Sequence, residues 1–255
     1  MTMTSLDASL TALLDTVPAP ADADIRAERV PYDHDGTALD GFLAWDAGAD
    51  GPRPAVLIVH DWNGEGEYVR VRAQMLARLG YVAFAADVYG VGVRPEGDAA
   101  ATTAQSFYRD LPLMRARVAA GYDVLRDDAR VDPTRIAVIG YCFGGSAALE
   151  FARTGAQVRG TVSFHGSLIT HAPADVARVA SPLLVLTGGS DPVVPDSAVI
   201  AFQDELRTRD DLDWQVVTYS GAPHAFTRPG SPAYRPVADA RSWAAMRAFL
   251  DEVMA

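Results

Sequence analysis

The stretch Val138–Leu149, VIGYCFGGSAAL, carries the chain from a β-branched apolar run into an alanine-rich one, through a cysteine framed by glycines. The first part reads as a strand covered on both faces and the last part as the start of a helix. Cys142 stands at the junction, with Gly140 two residues before it and Gly144 two residues after. A residue on so sharp a turn has strained dihedrals, and its neighbours must approach without side chains. A helix N-terminus also favours a thiolate over a thiol. The other reading of Cys142 is a small apolar residue packed where a strand ends.

The flanking sequence repeats the strand-then-helix pattern. AVLIVHDW and YVAFAADVY precede the turn, and VRGTVSFHG, LLVLTGGSD and WQVVTYS follow it, all reading as strands. Between them lie helical stripes: Tyr68, Met75, Leu76 and Leu79; then Met114, Val118, Tyr122 and Leu125; then a helix between Ser197 and Thr208. The chain closes with a helix carrying Trp243, Met246, Leu250 and Val253. Buried strands alternating with amphipathic helices predict an α/β fold, with a mostly parallel central sheet and helices on both faces. Ahead of it, Ser5–Val17 reads as a short helix, and the segment around His34-Asp35-Gly36 as a hairpin turn. The expected organisation is one domain over residues 1–255, with residues 1–28 as an N-terminal extension. Gly90–Thr103 is glycine-rich and charged and reads as a loop, within an expected lid region at 90–112.

A net charge of −11 argues against a nucleic-acid or anionic-membrane partner, both of which need clustered Lys and Arg. No stretch reaches the roughly 18 apolar residues of a membrane span, and the N-terminus lacks the pattern of a signal peptide. A single cysteine cannot form an internal disulfide, which fits a reducing, cytoplasmic setting. The expected assembly is a monomer or small homo-oligomer.

In an open parallel sheet, ligands bind beyond the carboxyl ends of the strands. Those ends carry His60, Asp61 and Trp62; Asp87 and Tyr89; Cys142; His165; Asp191; and, past the last strand, His224. Cysteine, acid and histidine thus follow in the order nucleophile, acid, base, the chain order of α/β-hydrolase triads. A base must take the thiol proton and an acid must hold that base in one tautomer. The N–H of Phe143, with that of Trp62 from the loop after the first buried strand, forms the expected oxyanion hole. Ser146 is the rival nucleophile but falls inside the helix, and Asp196 is the rival acid but reads as a helix N-terminal residue. His60 and His165 read equally as pocket residues or hydrogen-bonded core histidines. A metal set of His60, Asp61, His165 and His224 lacks ligand spacing, so no metal and no cofactor are expected.

GYCFGG (140–145), GGSDPVVP (188–195) and GAPHAFTRPG (221–230) together resemble the dienelactone hydrolase family, from about Pro54 to the last helix. The resemblance implies an α/β-hydrolase fold with a Cys142–Asp191–His224 triad. It implies hydrolysis of a small ester or lactone, with or without a carboxylate, through a thioester. It also implies a thiol-activating acid after the first buried strand, where Asp61 stands in place of the usual glutamate. ADVYG makes Tyr89 an expected pocket residue. Of two carboxylate-binding arginines, Arg228 matches one; Val91 stands near the other, with Arg94 the nearest replacement. Two alternatives share this scaffold: a non-catalytic ligand-binding or regulatory protein, and a thioesterase or acyltransferase using the same three residues.

Overall fold

The hairpin forms the edge of the sheet. In a computed structural model describing residues 6–171 and 175–255, β1 (Ile25–His34) and β2 (Thr37–Asp46) run antiparallel. They turn through Asp35 at φ 52° and Gly36 at φ 74°. Two successive left-handed residues match the twist of the flanking strands. β2 pairs antiparallel with β4 (Val82–Ala86). Beyond it β3 (Arg53–Val59), β5 (Val131–Tyr141), β6 (Thr161–Phe164), β7 (Leu183–Gly188) and β8 (Trp214–Tyr219) are all parallel. The sheet order is β1-β2-β4-β3-β5-β6-β7-β8, so the parallel part begins at β3, steps to β4 on one side and then runs from β5 to β8 on the other. The expected α/β architecture with a mostly parallel sheet is present.

Side-chain alternation along the strands feeds two layers. Val56 and Ile58 of β3 pack with α1 (Ala8–Leu14), α2 (Glu67–Arg78) and α7 (Pro236–Val253). Ala55, Leu57 and Val59 face α3 (Gly97–Arg109), α4 (Leu111–Arg126) and α5 (Phe143–Ala152). α6 (Asp196–Leu206) covers the β7 end with Phe202 and Leu206. Val56 to Val59 are wholly buried, and each such side chain contributes about 1.5–3 kcal/mol by leaving water.

Two boundaries differ from the sequence reading. α1 starts at Ala8, because the Asp7 carboxylate accepts from the N–H groups of Ser9 and Leu10 and caps it there; Ser5 lies outside the described residues. The loop expected over Gly90–Thr103 ends earlier, because α3 begins at Gly97. Its Ala100, Ala104 and Phe107 recur at helical spacing and are buried, and alanine is the strongest helix former. The glycines and acidic residues in front of them disguise that stripe.

Candidate active site

The turn after β5 puts Cys142 at φ 54° and ψ −115°, a backbone state few non-glycine residues adopt. A Cβ at Gly140 would collide with the carbonyl of Gly144, and one at Gly144 with the carbonyls of Val59 and His60. The two glycines are what allow β5, α5 and the end of β3 to meet. The Cys142 N–H donates to the Phe164 carbonyl at 2.9 Å, which ties the turn to β6. Phe143 is the first residue of α5, so its N–H has no acceptor within the helix.

Asp191 follows β7 and His224 follows β8, and both reach back to this turn. His224 Nδ1 lies 2.9 Å from Asp191 Oδ2, and Nε2 lies 3.1 Å from Cys142 Sγ. The other Asp191 oxygen accepts from the N–H groups of Val193 and Val194, at 2.8 and 3.0 Å. Those bonds set the carboxylate's orientation from its own loop. Burial opposes a charged His224, but Asp191 and Cys142 outweigh it and push the imidazole up to about 10. Ser146 lies inside α5 with its hydroxyl 3.0 Å from that of Tyr108, and Asp196 is the first residue of α6.

These residues open into a cavity of about 260 Å³. Trp62, Val193, Phe143 and Tyr108 supply apolar wall, with Ala101 and Ala104 from α3. Burial, reinforced by Cys142, pushes the Tyr108 phenol up to about 12, so it stays protonated beside the sulfur. His165 lines the cavity behind His224, with Nε2 2.7 Å from the Thr227 hydroxyl. Burial, with His224 nearby, holds His165 well below its ordinary range, so its ring is neutral.

Asp61 lines the cavity with both carboxylate oxygens engaged. One of its oxygens is 2.5 Å from Arg228 Nη1, and the other accepts from the Asn63 N–H at 2.9 Å. Arg228 Nη1 also donates to Asn63 Oδ1.

Three expected pocket residues lie elsewhere. His60 is fully buried beneath the site: its Nε2 accepts from the Val88 N–H at 3.1 Å, so Nδ1 donates to the Asp61 carbonyl at 2.6 Å. With both ring nitrogens engaged, His60 clips the β3 end to the β4 end and is unavailable to substrate or metal. Tyr89 packs behind Phe143, with ring centroids 5.1 Å apart, and does not line the cavity. Arg94 is turned away and bound to Glu65, with Nη2 2.9 Å from Oε2 and Nε on the Glu65 carbonyl. The reason is charge: the Glu65 side chain is wholly buried and gathers Arg29, Arg70 and Arg94.

The sequence reading missed Glu65, the α3 wall and Thr227. Thr227 joins His165 to the Tyr68 hydroxyl, at 2.7 Å on each side. The α3 residues had a signal in the Ala100–Ala104–Phe107 spacing; Glu65 and Thr227 had none. Among the described residues, no helix is long and apolar enough to cross a membrane.

Comparison with known proteins finds the family model described as "Dienelactone hydrolase family" matching residues 39–254. A Bradyrhizobium protein named "Probable 2-oxo-3-(5-oxofuran-2-ylidene)propanoate lactonase" is 30% identical, over 76% of this chain and 81% of its own. Among solved structures, a dienelactone hydrolase-like promiscuous phosphotriesterase from metagenomic libraries is 37% identical, with a TM-score of 0.86 over 91% of this chain and 99% of its own. An acetyl xylan esterase from Paenibacillus sp. R4 shares the fold at 19% identity, with a TM-score of 0.69 over 95% of this chain and 92% of its own.

Proposed function

This chain belongs to the dienelactone hydrolase family, and from that premise we propose that it hydrolyses small carboxylic esters or lactones through a thioester on Cys142. The observation that most supports this reading is His224 lying 2.9 Å from Asp191 and 3.1 Å from the Cys142 sulfur. In this reading the Cys142 proton passes to His224, which leaves the negative charge on sulfur. The thiolate attacks the ester carbonyl, and the developing oxyanion is met by the N–H of Phe143 and that of Trp62. As the tetrahedral adduct collapses, the C–O bond breaks and the leaving alkoxide takes the proton from His224 Nε2. The acyl group stays on sulfur. Neutral His224 then takes a proton from water, whose hydroxide attacks the thioester carbonyl, and the thiolate leaves as the acid is released. Asp191 holds Nδ1–H throughout and compensates the imidazolium. Asp61, engaged by Arg228 and the Asn63 N–H, acts in this reading on the shape of the oxyanion loop. The segment 90–112 contributes the α3 wall that covers the acyl group.

Phenyl acetate turnover followed by intact-protein mass spectrometry tests the reading. Wild type should gain one acetyl group on Cys142 during turnover, and Cys142→Ala should lose activity by at least about a thousandfold. Full activity in Cys142→Ala would overturn it. A second reading follows from the phosphotriesterase at 37% identity: the same thiolate accepting a neutral phosphotriester. Release of 4-nitrophenol from diethyl 4-nitrophenyl phosphate by wild type, absent in Cys142→Ala, is its expected signature.

A further inference from the structure

Apart from the Cys142–His224 pair, whose opposite charges offset each other, the cavity beside Cys142 carries one full charge of each sign, and these two also meet. Among the described residues lining it, Asp61 is the one Asp or Glu and Arg228 the one Lys or Arg. They form a contact pair at 2.5 Å, with the Asp61 side chain only 9% exposed. Arg94, in the loop after β4, is bound to Glu65 and does not line the cavity. The chain as a whole carries −11. An incoming carboxylate would therefore leave water for a site with no net positive charge to receive it, which is unfavourable for any unpaired ion. The remaining wall favours the opposite kind of ligand. Trp62 and Val193, large apolar residues 40% and 57% exposed, stand on it where a bound apolar group would cover them.

We infer that the site selects neutral esters with aryl or other apolar substituents and discriminates against substrates bearing a further carboxylate. Asp61 sets that selectivity by neutralising Arg228. The inference rests on the reading of Cys142 as the ester-cleaving residue, but it can fail separately.

A matched pair of substrates separates the two: methyl 4-acetoxybenzoate, which is neutral, and 4-acetoxybenzoate, which differs by one ionised carboxyl. Wild type should favour the neutral ester in kcat/KM by about tenfold or more. Asp61→Asn leaves the Arg228 charge uncompensated, so it should narrow that ratio by about tenfold. Dissociation constants for both compounds on Cys142→Ala, measured by calorimetry, should show the same preference without any turnover. Equal or reversed preference in wild type overturns the inference, as does an unchanged ratio in an Asp61→Asn protein that melts with wild type. Should Asp61→Asn fail to fold, the wild-type ratio and the dissociation constants decide. Failure of the functional reading looks different: neither ester is cleaved, or Cys142→Ala cleaves both, while the binding preference still stands or falls by itself.

Discussion

Replacing Asp191 by Asn tests the charge relationship on which the proposed chemistry depends. The substitution keeps the shape of the side chain and an oxygen for the Val193 and Val194 N–H groups, but removes the negative charge 2.9 Å from His224. The rise of His224 from 6.5 to about 10 corresponds to roughly 5 kcal/mol, after the opposing cost of burial. Asp191 and Cys142 share that gain. An opposite charge at such range moves a titration by about 1–3 pH units, so the variant's imidazolium should lose its proton between about pH 7 and 9. The sign follows from the role. The leaving group needs the proton on Nε2, so activity falls as pH rises through the His224 value, and lowering that value makes it fall earlier. The Asn amide also competes for Nδ1 with the wrong hydrogen-bonding sense, which should lower the plateau rate by about 10²–10⁴. The assay is kcat/KM for phenyl acetate against pH, corrected for spontaneous hydrolysis, with circular dichroism confirming that the variant stays folded. An alkaline limb in the same place as wild type, or a plateau within threefold of it, would refute the reasoning.

Glu65→Gln should lower stability by about 3 kcal/mol, the low end for a broken buried pair because its three arginine partners are partly exposed. Thermal unfolding should then shift down by roughly 6–12 °C, and a shift under 2 °C would contradict the account of the cluster. Gly144→Ala drives a methyl into the Val59 and His60 carbonyls, so the turn must move; thioester formation should fall at least about a hundredfold, as for a displaced reacting group, and near-normal acylation would count against the tight-turn argument. Thr227→Val strips partners from both Tyr68 and His165, costing about 1–3 kcal/mol in denaturant unfolding. An unchanged denaturation midpoint would show those hydrogen bonds to be replaceable.

The convergence of Cys142, Asp191 and His224 was legible before any coordinates because a parallel sheet brings the ends of its strands to one edge. Finding each residue just past a strand was enough to predict that they meet. The same logic failed for His60, Tyr89 and Arg94. Each follows a strand, yet His60 is held by Val88 and Asp61, Tyr89 stacks behind Phe143, and Arg94 is drawn to Glu65. Strand position locates a backbone; the direction of a side chain depends on which partners lie within reach.

By itself, then, the sequence determined the layered α/β fold, through apolar periodicity, and the sharp turn at Cys142, through Gly140 and Gly144. Both are local: neighbouring residues impose them by sterics and by the need to bury apolar surface. Tertiary structure alone decided the electrostatics of the cavity. Asp61 and Arg228 are far apart in the chain, and Glu65 takes its arginines from β1, α2 and the loop after β4. Whether an arginine receives a substrate or is already neutralised is set by distances of a few ångströms across the fold, and no spacing in the chain encodes them.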